Sequence, residues 1–139
     1  MVNRERIIKK FVEMASISSL SLREREMADY LLKELKNIGV DEVYEDNCAE
    51  EIGGNSGNIV GILRGKGPAV MFSAHMDTVG PCENIKPVVE EDRIRSSGNS
   101  VLGADDKAGI AAILEMLYYI KESKIEHPDI VVVFSVAEE

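Results

Sequence analysis

The chain has 139 residues, 45% of them hydrophobic, with 25 acidic and 16 basic side chains and a formal net charge of −9. That length fits one domain, and the apolar fraction is too high for a disordered chain. The acidic balance leaves no basic face for a nucleic-acid backbone, and no apolar run approaches membrane-spanning length.

Residues 3–16 carry Ile7, Ile8, Phe11, Val12 and Ala15 at helical spacing, which predicts an amphipathic helix. The opening residues mix charge with apolar side chains and lack the continuous run of a signal peptide. A serine-rich stretch at 16–21 breaks the helix. Ser21 and Glu24 read as a capping box for a second helix, with Met27, Leu31, Leu35 and Ile38 as its apolar stripe and Gly39 as its end. Residues 41–46 are expected as an edge strand, 53–58 as a turn and 58–64 as a strand. The segments 68–74 and 130–137 are apolar and do not alternate, the pattern of strands buried on both faces of a parallel sheet. Between them, 85–96 suits a hairpin and 105–122 a crossover helix, giving a β-α-β unit. Cys48 and Cys82 stand far apart with no CxxC spacing, which sets the expectation of a reducing, cytoplasmic address.

Polar residues collect where the apolar runs finish. The first ends in His75-Met76-Asp77, the second in Glu138-Glu139, and the crossover helix opens at Gly103-Ala104-Asp105-Asp106. Open α/β sheets bind ligands at the carboxyl ends of their strands, so one histidine and five carboxylates are expected at one sheet edge. Such a gathering repels itself unless cations neutralise it. His75 and Asp77, two apart, share a face, and a carboxylate there suits the second nitrogen of a metal-binding imidazole. Taken alone, Asp105-Asp106 would serve as a helix start and Glu138-Glu139 as the first residues of a loop. Together with His75 they favour ligands and a general base.

Three stretches, HMDTV at 75–79, SSGNSVLGADDKAGIAAILE at 96–115 and the glutamate pair at 138–139, resemble in content and order the co-catalytic zinc metallopeptidase family of peptidase T, glutamate carboxypeptidase, aminoacylase and acetylornithine deacetylase. The GADDKAG form is most similar to the peptidase T-like, tripeptidase branch. The resemblance implies an α/β, three-layer phosphorylase/hydrolase-like catalytic domain with a mostly parallel central sheet. Residues 1–139 would be its N-terminal part, without the lid or dimerisation domain and the C-terminal part. It further implies two divalent ions, zinc by preference with Co²⁺ or Mn²⁺ as substitutes. His75 would be a terminal ligand of one ion with Asp77 behind it, Asp105 the bridge, Glu139 a ligand of the second ion and Glu138 the general base. Asp106 fills a variable position and stays outside the set, and His127 reads as a loop residue.

The activity implied is aminopeptidase or tripeptidase action on short peptides by a parent that forms a homodimer through the missing domain. Amidohydrolase, deacylase or dipeptidase action on the same scaffold, or a metal-free interaction remnant, are the alternatives. The family pattern has a further acidic ligand and a late histidine beyond residue 139, so the chain alone is expected to hold little metal and to be inactive.

Overall fold

The computed structural model describes residues 1–139. Helix α1 spans Arg4–Ala15 and starts where the Asn3 side chain accepts the Arg6 amide; it buries Phe11, Met14 and Ala15. Helix α2, Arg25–Ile38, buries the stripe predicted for it and ends at Gly39, whose φ of 77° is the left-handed turn that releases the chain. The capping box does not form. Glu24 itself stands at the N-cap with no side-chain bond to the helix, and the Ser21 hydroxyl is taken instead by Asp77.

Four further strands and helices follow: β1 (Glu42–Glu45), the single turn α3 (Ala49–Ile52), β2 (Ile59–Leu63) and β3 (Val70–His75). Then come the hairpin β4 (Lys86–Val89) and β5 (Ile94–Ser97), the long helix α4 (Ala104–Ser123) and β6 (Ile130–Ser135). Of these only α3 was not expected; its four residues are too few to show a period.

The main sheet has the order β1-β2-β6-β3. Strands β3 and β6 run parallel, with Val70 opposite Ile130 and His75 opposite Ser135, and α4 is the crossover between them. The predicted β-α-β unit is therefore present. The expectation of a mostly parallel sheet holds for this pair and not for the outer strands: β2 is antiparallel to β6 and β1 to β2. Apolar runs report burial, not direction, so a mixed sheet leaves the same signature in sequence.

A cluster of 21 buried apolar residues joins α1, α2 and α4 to one face of the sheet, through Ile59, Leu63, Ile130, Val132 and Phe134. Gly61 lies on that face, where a Cβ would sit 3.0 Å from both Leu35 and Val132, so α2 packs directly on the β2 backbone. In this chain α1, α2 and α4 all pack on that one face of the sheet. The two runs are not buried on both faces. Strand β6 alternates buried with half-buried residues, and β3 is an edge strand whose Val70, Met71 and Phe72 are 42%, 66% and 37% exposed.

Polar ties between the helices supplement the core. Arg6 pairs with Glu115 (Nε to Oε2, 2.6 Å) and Glu122 and lies over the Tyr118 ring, while Lys10 Nζ donates to Glu34 and the hydroxyl of Tyr118 donates to Glu34 as well.

Candidate metal centre

Three segments converge because of the crossover topology. Parallel pairing sets the ends of β3 and β6 side by side, and α4 returns its N-terminus to the same edge. Gly103, with φ 71°, makes that approach: a Cβ there would lie 3.0 Å from the Thr78 methyl group. Asp105 follows in extended backbone (φ −90°, ψ 105°), before the regular turns of α4.

The imidazole of His75 is buried and held at both nitrogens. Its Nδ1 lies 2.9 Å from the carbonyl oxygen of Asp77 and 3.4 Å from Asp77 Oδ1. A carbonyl oxygen only accepts, so Nδ1 carries the hydrogen and donates it there. Nε2 then turns its lone pair toward Asp105 Oδ1 at 3.0 Å, with Glu138 Oε2 at 3.9 Å. Two acceptors face each other across that gap, and only a proton or a cation between them relieves the conflict. Burial alone would lower the His75 pKa. The Asp105 carboxylate, the Asp77 carbonyl and the charges of Asp77 and Glu138 outweigh it, and the net direction is upward.

His75, Asp105 and Glu139 present ligand atoms all within 4.8 Å of one another. One imidazole nitrogen and two carboxylates are a donor set that suits zinc and other divalent ions. The acids are open to solvent, the Asp105 side chain being 86% exposed and that of Glu138 62%. Expected neighbours are thus neighbours in space, Glu138 included.

Asp77 stands differently from expectation. Its carboxylate touches His75 only at 3.4 Å. It accepts instead the Ser21 hydroxyl (2.7 Å) and the amides of Glu138 and Glu139 (3.0 Å each), with no exposed surface. Burial would raise its pKa; these three donors reverse the effect and hold the carboxyl below its ordinary range. Ser21 was read as a helix cap, and the only sequence signal for its real partner was its place in a serine-rich break. Asp106 accepts the Gly109 amide at 3.0 Å. His127 lies in the loop before β6, at the far end of that strand, with Nδ1 against the Pro128 carbonyl. A cavity of roughly 490 Å³ opens beside the centre, lined among others by Ser18, Leu20, Cys82 and Asn99; none of the converging acids lines it.

Residues 58–139, which include the whole of this gathering, match the model of Peptidase family M28: the chain belongs to that family. Peptidases of this kind use metal ions. The chain is 39% identical over 141 residues to the uncharacterized protein YqjE of Bacillus subtilis (strain 168), covering all of this chain and 38% of that protein. Its fold superposes with a TM-score of 0.93 on a tripeptidase from Staphylococcus aureus subsp. aureus Mu50, at 38% identity over 99% of this chain and 38% of the other. The aminopeptidase PepT from Bacillus cereus ATCC 10987 gives the same TM-score at 36% identity, with 99% and 37% covered. The chain thus spans about two-fifths of the length of these proteins.

Proposed function

We propose that residues 1–139 are the ligand-bearing part of a two-metal, zinc-type peptidase of the peptidase T kind, which removes residues from short peptides. The observation that carries this reading is the approach of His75, Asp105 and Glu139 to within 4.8 Å, with His75 Nε2 3.0 Å from Asp105 Oδ1. The tripeptidase and PepT likenesses support the substrate class, and the two free cysteines suit a cytoplasmic setting.

His75 would hold one ion, Glu139 the other, and Asp105 both. Bound divalent ions would polarise the scissile carbonyl and acidify a water molecule. Glu138, beside His75 and exposed, would take a proton from the attacking water and return it to the leaving amine. Asp77 holds the amides of both glutamates, so its task is to keep base and ligand in register.

Two measurements test the reading separately. Co²⁺ titrated into a protein of its relatives' length that carries residues 1–139 should give a visible absorption band, and His75→Ala, Asp105→Ala and Glu139→Ala should each weaken binding by about tenfold or more. Binding indifferent to all three would sink the metal centre. In a protein carrying residues 1–139 at the length of its relatives, Glu138→Gln should lower tripeptide turnover by about 10²–10⁴-fold with metal content unchanged. Full turnover in that variant would remove Glu138 from the mechanism.

A further inference from the structure

Four consecutive amides leave the sheet after β6, and each is caught by a side-chain oxygen from another part of the fold. Val136 donates to Asn58 Oδ1 (3.1 Å), Ala137 to Glu24 Oε1 (3.0 Å), Glu138 to Asp77 Oδ1 and Glu139 to Asp77 Oδ2 (3.0 Å each). Within this run Ala137 has φ 52°, the left-handed region that a residue with a Cβ rarely adopts. Leu22, a second non-glycine residue in the left-handed region, has φ 69°, and its amide donates at 2.9 Å to that same oxygen of Glu24.

We propose that Glu24 is a positioning residue of the centre: its buried carboxylate fixes the two left-handed turns that aim Ser21 at Asp77 and turn Glu138 and Glu139 toward His75. The proposal rests on the reading of Glu138 as base and Glu139 as ligand. Glu24 has no exposed surface, although it stands at the start of a helix. Its side chain caps none of the amides of α2, so helix formation does not explain its burial. A single oxygen that bonds both turns couples them. Relaxation of Ala137 to the ordinary negative φ would redirect every residue after it, and relaxation of Leu22 would withdraw the Ser21 hydroxyl from Asp77. Either movement dismantles the Asp77 hub without touching a ligand.

Amide hydrogen exchange of the metal-free, ¹⁵N-labelled chain tests the proposal. Glu24→Ala should accelerate exchange at Glu138 and Glu139 by about tenfold or more, although neither amide bonds to Glu24, while the central amides of α4 and β6 keep their rates. Glu24→Gln, which retains an acceptor oxygen, should stay within about threefold of the parent chain. Adding Ala137→Gly to Glu24→Ala should slow Glu138 and Glu139 again, because glycine takes the left-handed turn without its steric cost. Should Glu24→Ala not fold, Glu24→Asp carries the test, since it withdraws the oxygens by one methylene and should give the same local acceleration. Unchanged rates at Glu138 and Glu139, rates already unprotected in the parent chain, or equal acceleration across the core would overturn the proposal. Failure of the metal reading appears elsewhere, as Zn²⁺ that leaves the His75 ring signals of the longer protein unmoved.

Discussion

Asp77 shows how one side chain is given several tasks by burial. Its two oxygens accept a hydroxyl and two amides that have no other partner, so an ionised carboxylate suits the position and an amide does not. Asp77→Asn replaces one acceptor by a donor that faces other donors. It should cost about 2–4 kcal/mol of stability at pH 7 by urea unfolding. The pH dependence has a definite sign. Asp77 titrates below its ordinary range in the fold, so its contribution is present above the unfolded carboxyl pKa and is lost as pH falls through the folded one. The variant should therefore lose less stability than the parent chain between neutral pH and the acid limb; parallel curves would show that the hub contributes nothing. At this scale the candidate site residues were legible and their supports were not. His75, Asp105, Glu138 and Glu139 sit in short motifs at strand ends and a helix start. Glu24, Asn58 and Ser21 act on partners 113, 78 and 56 residues away. Local spacing carries no trace of such pairings, and the Ser21–Glu24 pair imitates a helix cap.

Among the elements, periodicity exposed the helices and β-branched runs the strands, because both signals reflect burial on one stripe or face. The direction of β2 depends on where the chain re-enters the sheet, which side chains do not encode. Nor does the helical pattern of α4 disclose the role of Lys107. This lysine has no exposed surface, and its Nζ donates at 2.6 Å to the Ile17 carbonyl, tying the start of α4 to the α1–α2 connection. Burial pushes its pKa down to about 8, against the opposing influence of Cys82 and Glu26. Below that value both folded and unfolded states carry the charge, and the burial penalty is present in full. As pH rises further the folded state releases its proton first, so stability rises. Between pH 8 and 9.5 the gain should be about 1.5 kcal/mol. Lys107→Met should remove that slope in urea unfolding, whatever it does to the overall level through the Ile17 carbonyl. Tyr30 and Tyr118, held protonated first by burial and then by Glu13 and Glu34, act in the opposite sense at higher pH. A slope that survives in Lys107→Met would mean that the lysine is not its source.

The two edges of the main sheet are treated differently by the sequence. Strand β1 presents Glu42 and Glu45 around Tyr44, and charges on an edge discourage pairing with another strand. Strand β3 carries no charge from Val70 to Ala74, pairs only with β6, and exposes Val70, Met71 and Phe72. Next to it, on the face away from α1, α2 and α4, Val131 and Val133 are half-buried. An unpaired edge and an apolar strip thus coincide over the same residues, which is the combination that templates association. The long apolar run at 68–74 gave the burial demand of this strand in sequence, and the chain by itself does not meet it. The purified chain should accordingly self-associate with rising concentration in sedimentation velocity. Met71→Lys, which sets a charge on the most exposed of these three apolar residues, should shift the association midpoint upward by about tenfold. Its melting temperature should stay that of the parent chain, since Met71 is 66% exposed and takes no part in the buried cluster. A chain that stays monomeric at all accessible concentrations would show that the edge is protected by its own twist, and a variant that associates as readily would place the contact elsewhere.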